Sequence, residues 1–132
     1  MGRSVLRTDG APEPIGPYSQ GLQVNAGMMT FLSGQVGLDP KTGQLVPGEA
    51  AAQAERVMQN LGAVLASGGL GFEHVVRCTI YLTDLADFAQ VNEVYGRHFK
   101  APPPSRSTVQ VSALPKGAKV EIDAIAVSGP KD

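Results

Sequence analysis

Between Val75 and Val111 the spacing of apolar residues changes period twice, and few architectures accommodate that succession. Val76, Cys78, Ile80 and Leu82 recur at every second residue, the repeat of a strand with one buried face. Leu85, Phe88, Val91, Tyr95 and Phe99 then recur at helical spacing, behind an N-cap offered by Thr83-Asp84 and an acid, Asp87, in the first turn. Arg97, His98 and Lys100 suit the negative end of a helix dipole, and Pro102 stops the helix. From Ser105 the two-residue period returns, with Ser107, Val109 and Val111 on one face and Arg106, Thr108 and Gln110 on the other. Strand, helix, strand in this order predicts a βαβ unit with parallel strands and a right-handed crossover.

The flanks extend that unit. Ala54, Val57, Met58, Leu61, Val64 and Leu65 mark an amphipathic helix that begins near Glu49 and is stopped by Gly68-Gly69. Upstream, Val5-Leu6 starts a short strand, residues 10–17 form an irregular Gly- and Pro-rich loop, and Leu22 and Val24 are expected to pair with Met28 to Ser33 as a hairpin turning at Asn25-Ala26-Gly27. Gly34, at the end of that strand, permits a bulge or a close backbone approach, and Asp39-Pro40-Lys41-Thr42-Gly43 reads as an exposed turn. A last strand spans residues 119–127. The 132 residues suit one domain, residues 1–132. Two helices cover only one face of such a sheet, and the other face carries Val109 or Ile125 beside polar residues, which predicts self-association.

Composition narrows the function classes. Net charge is -1 with no Lys/Arg cluster, so no nucleic-acid footprint is visible. The single cysteine, Cys78, rules out an internal disulfide or a Cys-rich metal site, and its place on an apolar strand face reads as a buried small hydrophobe. No stretch approaches the ~18 apolar residues of a membrane span, and Met1 to Gly10 lacks the apolar run of a signal peptide, so a cytoplasmic location without membrane attachment is expected. There is no phosphate-binding glycine loop, and Ser33 is not in a nucleophile elbow. His74 and His98 lack metal spacing and read as polar surface residues.

What remains is Arg106 and the acids of the last strand. A guanidinium is always charged and presents a planar fork of donors, so a partly buried one faces an anion, supplied either by the protein or by a ligand. Glu121 and Asp123 share one face of their strand. A carboxylate there is either the arginine's structural partner or the base that activates a water beside a bound anion, and the strand pattern does not choose between them.

Ile15-Gly16-Pro17-Tyr18-Ser19-Gln20, Ser33-Gly34-Gln35, the run from Asp87 to Tyr95, Ser105-Arg106-Ser107, and Leu114-Pro115-Lys116-Gly117 through Val127 occur in an order and spacing that resemble the reactive intermediate deaminase family (RidA, also called YjgF). The resemblance runs from Ile15 to Val127. It implies a chorismate-mutase-like α+β fold with a six-stranded mixed sheet, two helices on one face, and a homotrimer with a pocket at each subunit interface. It also implies hydrolysis of 2-imino acids or their enamine tautomers, such as 2-aminoacrylate, 2-iminopropanoate and 2-iminobutanoate, to 2-keto acids and ammonia. No metal or organic cofactor is implied, and the functional link is to the pyridoxal-phosphate dehydratases that release these intermediates. Carried over by position, Arg106 would hold the substrate carboxylate, Glu121 would position the attacking water and Tyr18 would close the pocket. Ser33, Gly34, Asn92 and the backbone amide of Thr108 would line it. Many relatives carry cysteine where this chain has Thr108, so no thiolate acts at that position. A small-acid-binding regulatory or chaperone-like trimer without turnover would share the same pocket.

Overall fold

The computed structural model describes residues 2–25 and 27–129. Its elements in chain order are β1 (Arg3–Leu6), β2 (Gly21–Val24), β3 (Met28–Val36), α1 (Ala50–Ser67), β4 (Val75–Leu82), α2 (Phe88–Arg97), β5 (Ser105–Gln110) and β6 (Val120–Ser128). Strands β3, β6, β4 and β5 form one sheet in that order. β4 and β5 are parallel, as the βαβ pattern predicts, and β6 runs antiparallel to both β3 and β4.

Two-residue alternation sorts this sheet into a dry face and an open face. Cys78, Ile80 and Leu82 of β4 stand opposite Ala124, Ile122 and Val120 of β6, and all six are buried. Leu32 of β3 joins them beneath Ala54, Val57, Met58, Leu61 and Leu65 of α1 and Val91, Val94 and Tyr95 of α2. Ala50 and Ala54 are fully buried in α1, and Gln53, also buried, accepts a hydrogen bond from the Lys119 backbone at 2.8 Å, which fixes the helix to the start of β6. The Gly68-Gly69 stop is realised as a Schellman turn, with Gly69 at φ +73°, its amide bonded to Ala66 O and the Leu70 amide to Leu65 O. Asp84 caps a short 3₁₀ turn, Leu85–Asp87, through the Ala86 amide at 2.9 Å, so the second helical segment begins as 3₁₀ and becomes α at Phe88.

Two expectations about strand pairing fail together. The β2–β3 hairpin does not form, and the six strands do not make one hydrogen-bonded sheet. β1 and β2 pair with each other, Arg3 opposite Val24, as a separate two-stranded ribbon. The Asn25 amide continues that ribbon by bonding Gly2 O at 2.7 Å. Strand β3, nine residues long, pairs instead along the equally long β6, where Leu32, opposite Ala124, reaches the helix-covered core. In β1, Val5 and Leu6 remain 45% and 47% exposed, so the ribbon gains little burial that would draw it into the sheet. The histidines are also more enclosed than their spacing implied. His74 Nδ1 accepts from the Gly71 amide at 3.0 Å, and His98 Nε2 lies 3.0 Å from Glu55 Oε1.

The open face of the four-stranded sheet exposes Met29 (52%), Phe31 (69%) and Val109 (41%). Ile122, by contrast, is wholly buried at the centre of the helix-covered face, where its truncation leaves a cavity. We expect Ile122→Ala to lower unfolding stability by about 2–5 kcal/mol in chemical denaturation; a loss below the ~0.5 kcal/mol typical of surface changes would contradict the packing described.

Candidate functional site

Arg106 is placed by β5. In the parallel pairing with β4 it stands opposite Cys78, on the helix-covered side, at the edge of the sheet where α2 passes overhead. One of its nitrogens, Nη1, donates to Asn92 Oδ1 at 2.7 Å. Three rings surround the guanidinium carbon, with centroids at 5.2 Å for Tyr18, 5.2 Å for Tyr95 and 5.7 Å for Phe88. Each such contact contributes about 0.5–2 kcal/mol of attraction, more as water is excluded. Burial lowers the Arg106 pKa from its ordinary value, yet a guanidinium remains cationic at any physiological pH. Among the described residues no carboxylate lies within ion-pairing distance of it.

The loop carrying Tyr18 is held by its own hydrogen bonds. Ser19 Oγ donates to Pro103 O at 2.5 Å and the Ser19 amide to Pro104 O at 3.2 Å, tying the loop to the segment that leads into β5. The Tyr18 hydroxyl accepts from the Ile15 amide at 3.2 Å. Gly16 closes the turn beside the arginine, where an added Cβ would stand 3.3 Å from Arg106 Nη2 and 3.5 Å from Asn92 Nδ2. A side chain at this position would crowd the nitrogen that Asn92 leaves free.

Beneath the arginine, burial pushes the Cys78 thiol up to about 11 and raises the Tyr95 phenol as well, so both are neutral. Cys78 is thus the inert core residue its strand position suggested. Thr108 shares the Arg106 face of β5, and its buried Oγ1 has no hydrogen-bond partner among the described residues.

A second group of expected site residues lies on β3 and β6. Between Leu32 and Gln35 the β3–β6 register slips, so Ser33 and Gly34 together oppose Asp123 as a bulge. The bulge turns the Gly34 backbone against Glu121, and a Cβ at Gly34 would run into Glu121 Oε2. Glu121 stands opposite Tyr81 on the open face. Asp123, two residues on, is engaged with the Thr79 amide and the Tyr81 hydroxyl, both at 3.2 Å. The Glu121 carboxylate has no hydrogen-bond partner among the described residues.

Within one chain, therefore, the expected site residues form two groups. Arg106, Asn92, Tyr18 and Thr108 gather at the β5 edge, while Ser33, Gly34 and Glu121 gather at the β3–β6 bulge. β4 lies between β5 and β6, and Arg106 and Glu121 are on opposite faces. The option that Glu121 is the arginine's own structural counter-ion fails on this geometry. Asn92 accepts from the arginine through its Oδ1. Sequence reading missed Phe88 and Tyr95 as parts of the arginine's surroundings, because their helical spacing marked them as core. The usable signal was the polar Asn92 between them, at i+4 from Phe88 and three residues before Tyr95, on one helix face with both.

Fold and site together define a two-layer α+β protein that presents an uncompensated arginine at the edge of a sheet. Comparison with known proteins gives that class a family. A family model described as Endoribonuclease L-PSP matches residues 8–128. Protein DfrA of Myxococcus xanthus is 69% identical over 128 residues, covering 97% of this chain and 98% of that protein. The 2-iminobutanoate/2-iminopropanoate deaminase of Mus musculus is 49% identical, covering 97% and 93%. The crystal structure of RidA from the Antarctic bacterium Psychrobacter sp. superposes with a TM-score of 0.74 at 43% identity, covering 95% of this chain and 99% of that chain. The chain belongs to this family, the reactive intermediate deaminases of RidA and YjgF type.

Because the atom that a Gly34 methyl would meet is the end of a flexible side chain, Gly34→Ala should fold with the β3–β6 pairing intact and the Glu121 carboxylate displaced. A crystal structure of the variant checks this. An unmoved carboxylate would show that the bulge does not set its position.

Proposed function

We propose that the protein hydrolyses 2-imino acids and their enamine tautomers to 2-keto acids and ammonia, as a homotrimer whose pockets form between copies. The observation that carries this reading is a half-buried arginine that no carboxylate of the described residues neutralises. A small carboxylate supplies the missing anion and fits a fork of planar donors. The deaminase names carried by relatives at 45–49% identity over nearly the whole chain support the reaction class.

In the proposed pocket Arg106 anchors the substrate carboxylate through the donors that Asn92 leaves free, and Tyr18 covers it. Ser33, Gly34 and Glu121 come from the open face of a neighbouring copy, which the exposed Met29, Phe31 and Val109 suit for association. Glu121, whose carboxylate makes no internal hydrogen bond, takes a proton from a water as the water oxygen bonds the imine carbon and the C=N π pair moves onto nitrogen, and the proton then passes to that nitrogen. The resulting carbinolamine loses ammonia as its C–N bond breaks and its hydroxyl becomes the keto oxygen. Such base assistance is worth about 100- to 10,000-fold in rate. An imine already reacts with water unaided, so orientation and one proton acceptor suffice, and no nucleophilic side chain is required. Thr108, with its backbone amide beside Arg106, lines the same pocket. We place the reaction in the cytoplasm, as metabolite damage control downstream of pyridoxal-phosphate dehydratases.

The test generates 2-iminobutanoate or 2-iminopropanoate with a dehydratase or amino-acid oxidase and traps it with semicarbazide. Added protein should lower the trapped product. Arg106→Ala should reduce that effect by about 100-fold, since removing one partner of a desolvated charge pair costs roughly 2–5 kcal/mol. Glu121→Gln should retain 2-ketobutyrate binding by calorimetry while slowing turnover. Keto-acid binding by the wild type with no effect on imine lifetime would overturn the enzymatic reading in favour of a small-acid-binding trimer.

A further inference from the structure

Another arginine without an ion pair lies elsewhere. Arg3, on β1, reaches across to the start of β4, where Nη1 donates to Glu73 O at 2.5 Å and Nη2 to Val75 O at 3.0 Å. A guanidinium has five N–H donors, so these two bonds leave most of them unused, and its buried Nε has no acceptor among the described residues. No carboxylate lies within ion-pairing distance of Arg3 or of Lys100 among those residues. Burial lowers the Arg3 pKa, with no acid compensating.

Arg3 lines a cleft of about 780 Å³ whose other walls include Phe72, Glu73, His98, Phe99 and Lys100; the Glu73 carboxylate is largely exposed and lies beyond ion-pairing distance of both Arg3 and Lys100. That volume falls in the range of small-molecule sites, ~300–1,000 Å³. The Phe72 and Phe99 rings meet edge to face at 5.3 Å, and the His98 ring is tilted against Phe72 at 5.5 Å. His98 is already engaged by Glu55, so the open cationic groups of the cleft are Arg3 and Lys100. The residues of the proposed imine pocket, Arg106, Asn92 and Tyr18, do not line it.

An aromatic wall beside two cations without counter-ions matches one ligand chemistry closely. We propose that this cleft binds a planar aromatic carboxylate, its ring against Phe72 and Phe99 and its carboxylate on Arg3 and Lys100. The site is independent of the imine pocket and does not rest on the deaminase reading.

The test titrates the wild-type protein with indole-3-acetate and with phenylacetate by calorimetry and saturation-transfer NMR. Both should bind, and phenylacetamide, which lacks the charge, should bind at least about tenfold more weakly. Cyclohexylacetate, which keeps the charge but not the planar ring, should also bind more weakly. Arg3→Gln should weaken arylacetate binding about tenfold or more, while Arg106→Ala should leave it unchanged. Phe99→Leu with Lys100→Gln provides a second variant that spares Arg3, with circular dichroism checking the fold of each. No binding of either arylacetate at millimolar concentration would overturn the proposal. So would binding that Arg106→Ala abolishes and Arg3→Gln leaves intact, which would place the ligand in the imine pocket.

Discussion

Arg106 carries a full positive charge into half-buried surroundings where it meets one neutral acceptor, Asn92 Oδ1, and three aromatic rings. Rings and an amide oxygen soften the cost of desolvating a cation without cancelling its charge. The remaining field points outward from the sheet edge. Much of the local structure keeps it that way, since Gly16 leaves room at Nη2, Ser19 fastens the Tyr18 loop to the approach of β5, and the thiol and phenol beneath are held neutral by burial. The acids nearest in sequence pattern, Glu121 and Asp123, are kept away by β4.

That separation follows from strand order. β6 inserts between β3 and β4, so the two ends of the chain's sheet, the β3–β6 bulge and the β5 edge, present different chemistry on different faces. One face is dried by α1 and α2 and supports the arginine from below. The other stays open and holds the unpartnered Glu121 with exposed Phe31 and Met29. A chain built this way has an anion-seeking group and a proton acceptor that do not meet within one copy. The proposed trimer joins them without altering either face.

The parts of this arrangement legible in the sequence are those written in local period. The βαβ unit, the Gly68-Gly69 stop, the Ser33-Gly34 bulge, the buried Cys78 and the Arg106 face of β5 all follow from alternation or from glycine placement within a few residues. Strand partners are not local. Nothing in Leu22 or Val24 distinguishes pairing with β1 from pairing with β3, and only the length match between β3 and β6 and the burial of Leu32 decide it. The same limit hid the division of the site, because which acid faces which base depends on strand order. Phe88 and Tyr95 were legible as core and proved to be that and also the walls around a cation.

The claim with most resting on it is that each pocket draws Arg106 from one copy and Glu121 from another. Mixing Arg106→Ala and Glu121→Gln chains, unfolding and refolding them together, and assaying imine hydrolysis tests it most directly. Random assembly of equal amounts should restore wild-type activity at about one interface in four, well above the residual activity of either parent alone. Mixed assemblies no more active than the parents, at equal trimer content, would contradict the account.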